Sequence, residues 1–158
     1  MSKKQIKWVI VGVEVLLIAA LFLPAGRTLN GSGREDNSLS VFGMIARYGG
    51  LGFGTDALFY MILACALPVA VVGTVFLLHE RYNFGAATLL SALQTASSAC
   101  FFSAVSRKLV DYTALTMLPY LIVLVQLASV LLLIYAFLLS EPGERRGSNE
   151  TNEGKRDS

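Results

Sequence analysis

A chain of 158 residues with 54% apolar side chains, 15% charged side chains and a formal net charge of +2 is not an ordinary soluble domain. The small positive excess gives no reason to expect a nucleic-acid partner, since the basic residues stand at the edges of apolar runs, where lipid headgroups account for them. Two cysteines without a CxxC spacing and a single histidine, His79, exclude a disulfide framework and a haem held by two histidines.

Four apolar stretches define the organisation: Ile6 to Leu23, Leu58 to Leu78, Phe84 to Val105, and Leu115 to Leu139. Crossing the hydrocarbon core as a helix takes roughly 20 mostly apolar residues, so each stretch is read as a membrane span. The first follows Lys3, Lys4 and Lys7 and so resembles a secretory signal. Glu14 within it, and no small-x-small cleavage pattern around Leu23 to Gly26, predict an uncleaved anchor instead.

The connection 24–57 is the longest segment between spans. Arg27 to Asn37 reads as a flexible, glycine-containing loop. From Ser38 the pattern changes: Ser40 is placed to cap a short helix whose Val41, Phe42, Met44, Ile45 and Tyr48 share one broad face, with Arg47 left to reach headgroups. This helix is expected to lie as a hydrophobic lid on the outer end of the spans. Gly49, Gly50, Gly52 and Gly54 then form a turn, with neither the preceding strand nor the following lysine of a phosphate loop.

Leu21, Phe22, Leu23 and Pro24 closing the first span, followed by a loop carrying Ser40, Val41, Phe42 and Gly43, resemble a pattern in small uncharacterised bacterial four-span membrane proteins. The likeness covers the first third of the chain. It implies a four-span fold in a bacterial cell membrane and carries no activity.

In the second span Pro68 removes a backbone donor and predicts a bend. The third is dense in alanine, serine and threonine, which let helix backbones approach closely where lipid supplies no hydrophobic drive, so it is expected at the centre of the fold. The fourth is bulky all round apart from Gln126. Cys65 and Cys100, both inside spans, are expected to be buried thiols at similar depth. His79 is read as an interfacial residue, and 140–158, with no apolar residue after Pro142, as a disordered tail.

The fold class expected is therefore all-α: an integral membrane four-helix bundle over residues 1–139 with one moderate outer loop. Lysines before the first span and Arg145 and Arg146 after the last favour cytoplasmic termini. Glu14 is the residue to single out, because an ionisable group inside a span is costly and marks a site. Ser91, Gln94 and Ser98 recur at spacings of three and four on one face of the third span. Counted inward at 1.5 Å per residue, Glu14 and Ser91 fall at nearly equal depth, with Gln94 one turn beyond. Glu14 is therefore expected to face inward onto that stripe, and Gln126 completes the candidate polar site. No catalytic, cofactor or metal motif accompanies it: GxSG, HExxH and an acidic cluster are all missing, and neither Ser91 nor Ser98 has a histidine within the spans. The expectation is a non-enzymatic accessory or interaction protein, partnered by lipid and by another membrane protein or further copies of itself. The alternative is a small oligomeric transporter or channel with a polar path near Glu14.

Overall fold

The computed structural model describes residues 3–29, 35–77 and 82–139; His79 and the tail 140–158 lie outside them. Five α-helices and three short strands follow in the order α1 (Lys3–Ala20), β1 (Pro24–Leu29), β2 (Glu35–Ser40), α2 (Val41–Tyr48), α3 (Gly54–Leu77), α4 (Asn83–Lys108), β3 (Thr113–Leu115) and α5 (Leu118–Leu138). Three helical stretches are long and apolar enough to cross a membrane: Val41–Leu77, which includes α2 and α3, Asn83–Lys108, and Leu118–Leu138. α1 has only 18 residues and carries Lys3, Lys4, Lys7 and Glu14 among them, so it is more densely charged than the other three.

α3 packs against α4, α4 against α5, α5 against α1, and α1 against α3. The four long helices thus form a square in which α1 and α4 stand diagonally opposite. The small residues of α4 explain its close fit to both neighbours, as Ala87, Ser91 and Thr95 are buried between larger side chains. Bulky α5 shows the expected outward face of Leu121, Leu124, Leu127 and Leu131, and buries Ile122, Gln126, Ser129 and Leu133. Pro68 is buried inside α3.

The expectation of an all-α chain with an irregular outer loop is corrected by a three-stranded antiparallel sheet in the order β2-β1-β3. β1 pairs with β2 from Pro24–Ser40 to Leu29–Glu35, and with β3 through Gly26–Leu115, Arg27–Ala114 and Thr28–Thr113. Backbone bonds extend the second ladder at both ends: Leu29 N donates to Tyr112 O at 2.9 Å and Thr116 N to Ala25 O at 3.0 Å. Strand propensity is weak in these polar segments. The sheet arises because the connections α1–α2 and α4–α5 emerge side by side from the same end of the square, where their backbone groups satisfy one another.

α2 forms as expected. Ser40 Oγ accepts from Gly43 N at 3.1 Å, and Val41, Met44, Ile45 and Tyr48 are buried on the helix ends. The glycine turn is a π-helical segment, Gly49–Phe53, broken by non-helical Leu51 and by Gly52 at φ +100°, a left-handed conformation that glycine adopts without a Cβ penalty. Sheet, α2 and this turn form a cap on one end of the helices.

Gly26 sets how closely β1, β3 and α2 approach. A Cβ built there would stand 2.9 Å from Ala114 O and 3.1 Å from Met44 Cε. Gly26→Ala is therefore expected to destabilise the protein by about 1–3 kcal/mol in thermal or denaturant unfolding, the range for overpacking a filled site. Gly50, whose Cβ would meet nothing within 4 Å, is the control and should tolerate alanine within about 0.5 kcal/mol. Equal effects at the two positions would refute the close approach.

A buried polar layer as candidate functional site

Two separate apolar cores fill the interior. One, beneath the cap, gathers Leu17, Leu21, Met44, Tyr48, Phe101 and Ile122 with their neighbours; the other, at the far end, gathers Ile6, Ile10, Val71, Phe84, Ala87 and Leu133. Along α1, Glu14 falls between Ile10 and Leu17. On α4, Ser91, Gln94 and Thr95 fall between Ala87 and Phe101, and on α5, Gln126 and Ser129 fall between Ile122 and Leu133. All six are buried, so a polar layer crosses the protein between its apolar cores.

The layer's central contact runs along the diagonal of the square. Gln94 Nε2 donates to Glu14 Oε2 at 3.1 Å, and both side chains are almost fully enclosed, Glu14 at 1% and Gln94 at 4% exposure. One turn towards the cap, Gln126 Nε2 on α5 donates to Ser98 Oγ on α4 at 3.0 Å. Glu14 thus faces the interior and meets the third predicted span, as its depth implied. Its bond goes to Gln94; Ser91 is buried in the layer, where its carbonyl accepts from Thr95 Oγ1 at 2.8 Å, and Ser98 belongs to the Gln126 pair. Ser129, three residues after Gln126 and hence on the same face of α5, joins the layer and was not singled out from the sequence. Its spacing from Gln126 was the available signal.

Gln94, Ser97, Ser98 and Gln126 also line a cavity of about 40 Å³ whose other walls are apolar, including Leu17, Leu67, Pro68 and Phe101, with Val41 and Ile45 of α2 at the cap end. Among the described residues no group of three or more His, Cys, Asp or Glu side chains has metal-holding geometry. The chemistry of the layer is that of amide, hydroxyl and one carboxyl group.

The two thiols correct an expectation. Cys65 and Cys100 are free and exposed on the outside of the helices rather than buried. Sequence places them in apolar runs, but a small apolar thiol suits a lipid-facing surface as well as a core.

A second polar cluster links the cap to α4. Lys108 Nζ donates to Tyr48 Oη at 2.9 Å, stands 3.8 Å from Asp56 Oδ2 and lies 4.3 Å from the Phe53 ring centroid. Tyr48 in turn stacks on Phe53 at 4.7 Å and meets Phe101 edge-on at 6.1 Å. One ammonium group thereby touches residues before, within and after the glycine turn.

No family model, curated protein or solved structure matches the chain.

Proposed function

We propose that the chain is a non-enzymatic accessory or interaction subunit of a bacterial cell membrane. In this reading α1 is a fourth span, both termini are cytoplasmic, and the cap faces outward to hold a membrane-protein partner. The observation that carries it is the construction of the cap. Ala25, Met44 and Tyr48 are essentially inaccessible, so sheet and α2 form a fixed platform instead of a loose loop. Among the described residues, β2 and β3 each have one edge without a strand neighbour, which is the geometry that accepts an added strand from a partner. Membrane residence is supported by the belt of exposed Leu16, Phe59, Ile62, Leu89, Leu124 and Leu131, a patchwork too apolar for water.

Isolation from native membranes with quantitative mass spectrometry tests the role. A fixed ratio of this chain to one other membrane protein, lost when Leu39 in β2 is replaced by proline, is expected. A chain recovered only with copies of itself overturns the reading. The polar layer favours the second reading, a small oligomeric transporter or channel whose path passes Glu14, Gln94, Ser98 and Gln126. Solute flux in vesicles of the purified protein, abolished by Glu14→Gln, would replace the first reading by the second.

The orientation has its own test. Lys3, Lys4 and Lys7 flank one end of α1, and Arg145 and Arg146 follow α5. In a variant lacking Cys65 and Cys100, a cysteine at Ser32 is expected to react with a membrane-impermeant thiol reagent in intact cells, and a cysteine at Ser148 only after lysis. The opposite labelling pattern would invert the topology.

A further inference from the structure

Charge is divided unevenly between the two ends of the helices. Among the described residues, the cap end holds Arg27, Arg47, Arg107 and Lys108 against Glu35, Asp36, Asp56 and Asp111, so its charges balance. The opposite end holds Lys3, Lys4 and Lys7 and no acid, since Glu14, the one acid of α1, is enclosed in the polar layer. Neither Lys4 nor Lys7 has an acidic partner within ion-pair reach among these residues.

The helical period turns these lysines outward. Ile6 and Ile10 are wholly buried on the inner face of α1. Lys4 and Trp8 stand two positions from them, about 200° round the helix, so both point away from the core. Lys7, three positions after Lys4, shares that outer face and leans onto α3, where its Nζ lies 5.9 Å from the Phe76 ring centroid. Trp8 meets the same ring edge-on at 6.1 Å. The two rings remain open to the surroundings, Trp8 at 61% and Phe76 at 47% exposure. α1 and α3 thus build one patch in which two ammonium groups flank a pair of rings, with Trp8 about 6 Å deeper along the helix than Lys4.

A phospholipid presents its groups in the same order, a phosphate above an ester and acyl region. Tryptophan favours that boundary because one part of its ring system is apolar and the other carries a donor. A free anion would use the lysines and leave the rings uncovered, so the patch fits a lipid better than a soluble anion. With no acid beside the lysines, a headgroup cation has nothing to pair with and a net negative headgroup is favoured.

We propose that Lys4, Lys7, Trp8 and Phe76 form a binding site for one phospholipid of net negative charge, in the leaflet opposite the cap. The proposal rests on the membrane placement of α1 and is independent of any partner at the cap.

Trp8 is the only tryptophan of the chain, so its fluorescence reads this patch alone. The full chain is reconstituted in vesicles of phosphatidylcholine and phosphatidylglycerol, with bromine on the acyl chains of one lipid at a time to quench an indole in contact with it. Phosphatidylglycerol is expected to be preferred at Trp8 by about tenfold at equal mole fraction, and each of Lys4→Gln and Lys7→Gln should lower that preference about threefold. Lys4 is exposed, so Lys4→Gln leaves the fold intact. Arg107→Gln, at the cap end, should change nothing. Equal quenching by the two lipids would overturn the proposal, and so would a preference that the double lysine variant keeps. A preference erased by inorganic phosphate at constant ionic strength would mark a site for a soluble anion and overturn it too. Quenching by neither lipid would overturn the membrane placement of α1 along with the site.

Discussion

Gln94→Leu is expected to destabilise the protein by about 3 kcal/mol, because it strands the Glu14 carboxyl in a buried site without its donor. Leucine is close in size to glutamine, so little of that loss is cavity. Gln94 Nε2 is the one hydrogen-bond donor that reaches Glu14 among the described residues. Glu14→Leu alone leaves the amide of Gln94 without its acceptor and should also destabilise, though by less, since no charge is left behind. The double substitution Glu14→Leu with Gln94→Leu removes both polar partners together, and replacing a buried pair by packed apolar groups is often close to neutral. Unfolding of all four proteins under one set of conditions isolates this pair. The double variant should recover at least half of the loss seen in Gln94→Leu. Additive losses would mean that the two side chains do not act on one another, and the diagonal contact would then carry no energy.

That pair was legible in the sequence for a simple reason. Helical rise turns residue counts into depths, so Glu14 and the Ser91-Gln94-Ser98 stripe were placed at matching heights before any packing was known. Ser40 and the apolar face of α2 were legible in the same way, through local capping chemistry and a period of 3.6 residues. The sheet was not, because one of its two ladders joins β1 to a segment nearly 90 residues later, and none of the three strands has the β-branched alternation that marks a strand locally. Cys65 and Cys100 show a different limit. Hydropathy tells that a residue avoids water, but lipid and protein interior are equally dry, so the rotation of a membrane helix is not written in its apolar residues. Polar groups are what fix it, and α4, with Ser91, Gln94 and Thr95 turned inward, is the helix whose rotation the sequence specifies best.

Tyr48→Ala is expected to have the largest effect on the cap, about 3–5 kcal/mol in unfolding, as for other fully buried aromatic side chains. Tyr48 is 1% exposed and touches the Phe53 ring, the Phe101 ring and the Lys108 ammonium. Its loss leaves the glycine turn without a fixed neighbour on either side. Arg47, next in the chain and half-buried on α2, should then become accessible, so limited trypsin digestion is expected to cut the variant there while sparing the native protein. Tyr48→Phe separates packing from hydrogen bonding: it keeps the ring stacked on Phe53 and removes only the acceptor for Lys108. Lys108→Met should resemble Tyr48→Phe and leave the cap seated, because Lys108 is itself solvent-exposed and its contacts are screened. If Tyr48→Phe exposes Arg47 to trypsin as fully as Tyr48→Ala does, then the hydrogen bond to Lys108, and not the aromatic packing beneath α2, holds the cap on the helices.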